Sequence, residues 1–313
     1  MTYEWTFDAP TGTYKSHELS ERLYKVAVAE SLFMDHVKPQ SEFGRKMGET
    51  ITLKRVAAIA EPTSIDLVEG TRIPEDQLVL STRAITVGEI GRSVPYSSLS
   101  EDLSVDDIEG TVQSELKRQM KLGLDTKAAT AFKNAKVKYA PTGAASNNIT
   151  TNGTFGAAAT ANLNVFHLEE IRDYMFDTLF TEPAAGGDYV GIFRTLGLRG
   201  VKRDPDWEEW HKYTDPSAKF NSEVGRMENI RLLESNHSNA LGKVGTGSVL
   251  GEGVVFGADA VALVEAMSPE LRAAIPQDHG RQKSVAWYGI LAMDTIWDTG
   301  NAGEAKIVHV GSL

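Results

Sequence analysis

A regular repeat of apolar residues runs through positions 104–134 and predicts one long helix. Its apolar positions recur at steps of three or four and therefore lie on one face: Val105, Ile108, Val112, Leu116, Met120, Leu124, Ala128 and Phe132. Ser104 is placed to cap the first turn, and Asp106 and Asp107 follow at the positive end of the helix dipole. At 1.5 Å per residue the helix would measure roughly 45 Å, which is long for a globular domain.

Composition predicts a protein without membrane spans, disulfides or thiol chemistry. The 313 residues include no cysteine, and no apolar run reaches the roughly 18 residues that a membrane helix needs. Glu4 and Asp8 are atypical of a signal peptide, so we expect no secretion. The net charge of −11 argues against a protein whose main function is to bind nucleic acid.

Residues 44–96 predict a long two-stranded hairpin with too few large apolar residues for a core of its own. Ile51, Leu53 and Arg55 alternate with polar residues, and the return run over 78–87 alternates in the same way. An irregular tip is expected at 61–75. Because an isolated hairpin is marginal in water, we expect this one to rest on another surface, such as a second copy of the chain.

The N-terminal segment predicts an extended arm. Residues 1–19 carry aromatic side chains, Trp5 and Phe7 among them, without a helical or strand period. Such a segment lies on its own subunit or on a neighbour, and a disordered tail is the alternative. An amphipathic helix is expected over 20–37, ended by Pro39.

The second half of the chain predicts a compact α/β region over 165–282, which we interpret as a domain inserted into the first. It contains a helix near 165–179, a buried strand at 189–193 and a glycine-rich stretch at 242–253. The last segment alternates over 285–297, and the run 305–310 follows a glycine-containing turn. We therefore expect a terminal hairpin over 285–310, lying beneath the long helix.

No catalytic or cofactor motif is complete. Gly245, Gly247 and Gly251 miss the dinucleotide fingerprint by one residue, and a flexible loop is the favoured interpretation. His167 with Glu169 and Glu170 has the composition of a metal half-site, but a solvated helix start explains the three better. We expect no catalytic residue, cofactor or metal.

One acidic cluster leaves an alternative open. Asp204, Asp206, Glu208 and Glu209 are close enough in sequence to supply paired carboxylates for acid and base catalysis. A charged face beside Trp207 and Trp210 is the favoured interpretation.

The order of these elements resembles the HK97-like coat fold of tailed phages, which is an α+β fold. Two runs, GETITLKRVAAIAEPTSIDLVEGTRIPEDQLVLSTRAITVGEIGRSVPYSS before the helix and WYGILAMDTIWDTGNAGEAKIVHV near the end, are similar to N4-type major capsid proteins. The resemblance covers most of the chain. It implies an N-terminal arm and helix (1–43), an extended β-hairpin loop (44–96), a peripheral domain (97–164) with a spine helix at 104–134, an inserted axial domain (165–282) and C-terminal strands of the peripheral domain (283–313).

The same resemblance implies a major capsid protein that assembles through hexamers and pentamers into an icosahedral shell around a double-stranded DNA phage genome. Expected partners are further copies, a portal, and scaffolding or decoration proteins, with packaged DNA contacted non-specifically and no membrane. The expected location is the virion, after assembly in the host cytoplasm.

Contacts between subunits are expected on the arm and the loop, where charge would fix register against acidic faces of neighbours. The residues are Trp5, Phe7, Lys54, Arg55, Glu69, Arg72, Glu75 and Arg83. An encapsulin-like shell around a protein cargo and a hydrolase using the cluster at 204–209 are the two alternatives.

Overall fold

A computed structural model of the chain describes residues 29–41, 43–44, 48–57, 59, 61–62, 64–104, 107–184, 186–207, 223–275, 278 and 281–313. The helices in these ranges are α1 (Ser98–Leu103), α2 (Ile108–Lys133), α3 (Val165–Asp173) and α4 (Thr195–Leu198). None of the described helices is both long and apolar enough to cross a lipid bilayer.

The strands in the same ranges form two larger sheets and two separate pairs. In chain order they are β1 (Lys38–Pro39), β2 (Thr50–Val56), β3 (Leu80–Thr86), β4 (Gly88–Ser97), β5 (Val137–Gly143), β6 (Ser146–Thr150), β7 (Tyr189–Arg194), β8 (Glu223–Met227), β9 (Ile230–Ser235), β10 (Lys243–Val244), β11 (Leu250–Gly251), β12 (Gly253–Phe256), β13 (Val261–Ala273), β14 (Gln282–Thr295) and β15 (Ile307–Val310). One sheet has the order β1-β13-β14-β4 and the other has the order β6-β5-β15-β12-β7-β9-β8. The pairs are β2 with β3 and β10 with β11.

α2 is the central helix, and it starts later than the sequence predicts. The predicted helix over 104–134 corresponds to α2 alone, because α1 ends at Leu103, before the predicted start, and Ser104 is the extended residue that follows α1. The cap of α2 is Asp107, whose carboxylate accepts a hydrogen bond of 2.9 Å from the amide of Gly110. The predicted apolar face is confirmed where it is described: Leu116, Ala128 and Phe132 are buried, and Val112, Met120 and Leu124 pack partly buried against the core.

One apolar cluster joins α2 to both larger sheets. Phe132 lies between Phe33 and Phe256, with ring centroids 5.6 Å and 4.6 Å away. The cluster also contains Val261 of β13 and Leu291 of β14. The two sheets therefore share a core across one helix.

The prediction of a terminal hairpin over 285–310 is wrong. β14 pairs with β13 on one side and β4 on the other, whereas β15 lies between β5 and β12 in the seven-stranded sheet. The sheets also cross the predicted domain boundaries, since β13 pairs with β14 and the early strands β5 and β6 join strands from the region 165–282. Alternation reveals a strand, but it does not identify the strand's partner.

The first half of the amphipathic helix expected over 20–37, residues 20–28, lies outside the described residues. Its described end is a single 3-10 turn, Phe33–His36, followed by extended backbone at Val37. Phe33 of this turn is fully buried, so the turn is an anchor in the core.

Gly123 offers a test of how α2 packs. It lines a cleft of about 400 Å³ beside Trp287, and a Cβ at this position would lie 3.9 Å from the Trp287 ring, an ordinary contact. We expect Gly123→Ala to raise the free energy of unfolding by about 0.5–1 kcal/mol, because alanine loses less conformational freedom in a helix. Urea unfolding followed by circular dichroism measures the change.

Gly110→Ala is the matched control in the same helix. There the Cβ would clash with the carboxylate of Asp107 and disturb the cap, whose loss costs about 0.5–2 kcal/mol. We expect little or no gain, and equal gains in the two variants would contradict this account of the helix.

Candidate functional site

The hairpin formed by β2 and β3 ends in a segment rich in exposed apolar residues. We call residues 57–79, which connect the two strands, the hairpin tip. Side chains that are 52–82% exposed are found along it and at the adjoining strand ends: Val56, Ile59, Ile65, Leu67, Val68, Ile73, Leu78, Val79 and Leu80. Large exposed apolar patches are uncommon on monomers and mark surfaces that another molecule covers.

The charged residues of the hairpin tip are mainly acidic. Glu61, Asp66, Glu69, Glu75 and Asp76 accompany a single arginine, Arg72, and all six are exposed. Arg72 forms an ion pair with Glu75 of the same turn, and both side chains remain at least 70% exposed. Exposed pairs of this kind contribute little stability, so the tip has the properties of a binding surface rather than of a core.

The base of the hairpin, in contrast, rests on the chain's own four-stranded sheet. β2 and β3 pair from Thr50↔Thr86 to Val56↔Leu80, which confirms the predicted hairpin. Its inner face carries Ile51, Leu53 and Ile85, which pack with residues of β13 and β14, including Val264 and Ala292. The sequence predicts that the hairpin rests on another surface, such as a second copy of the chain. For its base, the subunit itself supplies that surface.

Two arginines continue this inner face toward the hairpin tip, and both bind one acidic segment of the same chain. Arg55 donates a hydrogen bond of 2.5 Å to Asp298 Oδ1, and Arg83 donates one of 2.9 Å to Asp298 Oδ2. Arg83 also binds Asp294 at 2.5 Å. The Arg55 hydrogen bond, reinforced by the charge of Arg83, lowers the pKa of Asp298 despite partial burial. We call Arg55, Arg83, Asp294 and Asp298 the base cluster.

The base cluster differs from the pairing expected of its arginines. The expected partners of Arg55 and Arg83 are acidic faces of adjacent subunits, whereas the structure pairs both arginines with acids of their own subunit. The sequence does indicate that both arginines need a partner, because they occupy inner positions of alternating strands, where a charge must be paired. It does not reveal which acids those partners are, because Asp294 and Asp298, at and just after the end of β14, are distant in sequence.

The remaining predicted contact residues lie in different settings. Lys54 is exposed on the outer face of β2, opposite Thr82. Glu69, Arg72 and Glu75 lie on the hairpin tip, as described above. Trp5 and Phe7 lie outside the described residues. Their contacts with other subunits remain predictions.

His167 is a buried structural residue, and the expectation of a solvated helix start is wrong for it. Its side chain is fully buried, with Nδ1 2.8 Å from the Tyr139 hydroxyl and Nε2 2.9 Å from the carbonyl oxygen of Gly143. Because that carbonyl only accepts, Nε2 carries the proton and Nδ1 accepts from Tyr139. Both ring nitrogens are therefore engaged, and neither is available to a metal.

The acidic cluster near 204–209 has a structural role where it is described. Asp204 accepts hydrogen bonds from the amides of Val165, at the start of α3, and of Asp206. Trp207 is buried in the core of the seven-stranded sheet, and the other members of the cluster, Glu208 and Glu209, lie outside the described residues. Asp204 thus holds the helix start in place.

A buried carboxylate that the sequence analysis missed anchors the N-terminal side of the chain. Asp125 of α2 is fully buried, accepts a 2.8 Å hydrogen bond from the amide of Phe33 and lies 2.9 Å from His237 Nδ1. The neighbouring loop adds a bond from the Glu30 amide to the Asn236 side chain at 3.0 Å. An aspartate within an apolar helical face was the available signal, because such a residue requires partners.

Asp125→Ala tests this anchor. The variant leaves the buried amide of Phe33 and the ring of His237 without their acceptor, so we expect the free energy of unfolding to fall by about 3 kcal/mol. Thermal and urea unfolding measure the loss. Thr130→Ala, an exposed change one turn along α2, should stay within about 0.5 kcal/mol of the parent. A loss of similar size in both variants would refute the anchor.

A second buried network, also missed by the sequence analysis, joins α2 to the seven-stranded sheet. Lys138 Nζ donates to the carbonyl oxygen of Lys133 at 2.7 Å and to His309 Nδ1 at 3.0 Å. His309 Nε2 donates to Glu252 at 2.8 Å, and Glu252 also accepts from the Gly242 amide at 2.8 Å. Lysine has donors only, so His309 must accept at Nδ1 and is neutral in this arrangement.

Burial governs the protonation states of this network. Desolvation lowers the pKa of Lys138 to about 8 and also lowers the pKa of His309. Burial of Glu252 opposes its ionisation, but hydrogen bonds from His309 and Gly242 outweigh that effect and lower its pKa to about 2. A second proton on His309 would bring its Nδ1–H against the Lys138 ammonium group.

Stability should therefore decrease as the pH falls below the ordinary histidine pKa of 6.5. Burial lowers the pKa of His36, His167 and His309, so the unfolded chain binds more protons than the folded chain in that range. The slope is at most about 1.4 kcal/mol per pH unit for each such histidine. Unfolding midpoints between pH 5 and pH 7.5 measure it.

His309→Gln isolates one contribution, because glutamine keeps an amide donor and acceptor but does not titrate. We expect a shallower pH dependence for this variant than for the parent. An unchanged slope would mean that His309 is not protonated differently in the folded and unfolded chains.

Comparison with known proteins identifies the fold. The capsid of the Helicobacter pylori bacteriophage KHP30 matches with a TM-score of 0.72 and 12% identity, over 95% of this chain and 96% of that one. The capsid of Ralstonia phage GP4 matches with a TM-score of 0.67 and 14% identity, over 98% and 97% of the two chains. The capsid of the cyanophage P-SCSP1u matches with a TM-score of 0.67 and 10% identity, over 95% of this chain and 93% of that one.

No protein-family model and no curated protein sequence matches the chain. The likeness is therefore one of structure, and it extends over nearly the whole length of each chain. The protein has the mixed α+β fold of phage capsid proteins, the HK97-like fold expected from the order of its elements.

Proposed function

We propose that this chain is the major capsid protein of a double-stranded DNA phage. Copies assemble through hexamers and pentamers into an icosahedral shell that encloses the genome. The observation that carries the proposal is the match along nearly the full chain to several phage capsid structures. A role in building a shell, rather than in catalysis, is consistent with the buried side chains of His167 and Asp125, which are occupied by structural hydrogen bonds.

The hairpin tip supports assembly on physical grounds. Its apolar side chains gain roughly 25 cal/mol for each Å² removed from water, but the subunit covers few of them. Its acidic residues favour a partner surface with apolar floor and basic rim, since complementary charge fixes register and excludes wrong neighbours. We propose that another copy of the chain provides that surface, as in obligate assemblies that bury about 2,000 Å² or more.

The resemblance seen in the sequence makes the protein an N4-type coat protein. The division into units that we propose differs from the predicted bounds: the four-stranded sheet and α2 form most of the peripheral unit, and the seven-stranded sheet forms most of the axial unit. Portal and scaffolding or decoration proteins are its partners, and DNA is contacted non-specifically. Shells assemble in the host cytoplasm and become part of the virion.

The test of the proposal is expression of the full chain, with and without the neighbouring genes of its genome, followed by sedimentation. Closed particles of tens of nanometres, or free pentamers and hexamers, seen by electron microscopy support it. A chain that stays monomeric in both conditions would argue against a coat protein.

The hairpin tip gives a sharper prediction. Replacing Ile65, Leu67, Val68 and Ile73 together by serine should leave the subunit folded, because these side chains are 64–82% exposed. Closed shells should fall by roughly tenfold or more, because the variant removes apolar surface that the neighbour would cover. Circular dichroism checks folding, and particle counts by electron microscopy check assembly.

The matched control changes polar residues of the same segment, Thr71→Ser and Gln77→Ser. It should assemble as the parent does, since it removes little apolar area and leaves the charge unchanged. Equal loss of shells in the two variants would show that the apolar side chains are not the feature that matters.

A further inference from the structure

The hairpin is a long projection whose direction must be set near its base. We infer that Arg55, Arg83, Asp294 and Asp298, the base cluster, position the hairpin by fixing the angle at which it leaves the subunit. The consequence for assembly rests on the proposed function. The positioning itself concerns the isolated chain and does not depend on that function.

The geometry of the base cluster is that of a two-point clamp. Asp298 accepts one hydrogen bond from each hairpin strand, from Arg55 of β2 at 2.5 Å and from Arg83 of β3 at 2.9 Å. Arg83 binds Asp294 with its other terminal nitrogen, at 2.5 Å. Two strands are thus tied to two positions at the end of β14, which restricts rotation of the hairpin as well as its separation.

Trp297 adds a third restraint on the same side. The guanidinium group of Arg55 lies 5.1 Å from the centre of the Trp297 ring, within the range of a cation–π contact. Arg55 Nη1 also lies 3.4 Å from the carbonyl oxygen of Ile296. The planar guanidinium is therefore oriented by the ring and by two acceptors at Nη1.

The apolar contacts below the base cluster cannot set the angle by themselves. Ile85 and its neighbours hold the hairpin against the sheet, but hydrophobic association is non-directional and tolerates small rotations. Charge-assisted bonds to arginine have a preferred geometry because the guanidinium is planar and rigid. The base cluster therefore adds an angular restraint that the apolar contacts lack.

Burial indicates that the base cluster is organised for position more than for stability. The Arg55 side chain is only 10% exposed, and the Nε atoms of both arginines are buried without a hydrogen-bond partner. Buried, incompletely paired charge is unfavourable, and an apolar pair at these positions would avoid it. A requirement for orientation explains why charge is found there.

A small angular error at the base becomes large at the hairpin tip. Gly70 lies fifteen positions beyond Arg55, so the tip reaches at most about 50 Å from the base cluster at 3.3 Å per residue. A rotation of about 5° would move such a tip by about 4 Å, which is enough to lose most dispersion contacts with a neighbour. The angle set at the base therefore decides whether the tip meets its partner.

Spin labels can measure this angle directly, because the chain contains no cysteine. Cysteines introduced as Gln77→Cys on the tip and Lys117→Cys on α2 carry the two labels, and both positions are exposed. The doubly labelled chain is diluted into unlabelled chain, and the distance distribution between labels is recorded by pulsed electron resonance. Asp298→Asn removes the shared carboxylate charge with almost no change of shape.

We expect Asp298→Asn to broaden or shift the distance distribution while circular dichroism stays unchanged. Arg83→Lys, which keeps the charge but loses the planar fork, should give an intermediate distribution. Glu101→Gln is the matched control, because the Glu101–Lys283 pair is similarly exposed, involves the same sheet and does not touch the hairpin. An unchanged distribution in Asp298→Asn, or equal broadening in the control, overturns the inference.

Assembly of shells provides a second test of the base cluster. If the angle matters for assembly, Asp298→Asn should yield roughly tenfold fewer closed shells than the parent, because displaced tips lose their contacts. Normal shells together with a broadened distribution would overturn the link between the hairpin angle and assembly, while the positioning role would stand. Parent chains that form no shells would refute the proposed function, while the distance measurement would still decide whether the base cluster holds the hairpin.

Discussion

The packing of α2 between two sheets is the constraint on which the rest of the structure depends. Phe132 near its end lies between Phe33 and Phe256, so one helix turn holds the N-terminal anchor and the seven-stranded sheet together. Along the same helix, Leu116 packs with Val285 and Trp287 of the four-stranded sheet. Directional polar contacts then fix the register: Asp125 binds the anchor, and the Lys138 network binds the end of the helix to β15.

The hairpin is fixed to the packed core at its base but is left without a covering surface at its tip. Its base shares the apolar packing of the four-stranded sheet, and the base cluster adds bonds of defined geometry. The described residues of its tip take no part in that packing or in the base cluster, and many of them expose apolar side chains. A subunit built in this way has an apolar core of its own, but it retains an exposed apolar surface that another molecule can bury.

The sequence was sufficient to predict features that depend on local periodicity. The apolar face of α2 and the pairing of β2 with β3 follow from repeats of 3.6 and 2 residues, and both are present. The terminal hairpin failed because β14 and β15 each have the alternation or apolarity of a strand, whereas their partners are set by the whole core. Asp125 and His167 were underestimated for a related reason, since their partners are distant in sequence.

The position of β15 in the sheet has a consequence for synthesis. β15 comes after all its neighbours in the chain, yet it lies between β5 and β12 and separates them. During synthesis β5 and β12 therefore lack the strand that joins them until residues 307–310 have left the ribosome. Contacts between residues so far apart in sequence form slowly. The seven-stranded sheet is thus completed after translation of its last strand, so a nascent chain cannot present that finished surface to its neighbours.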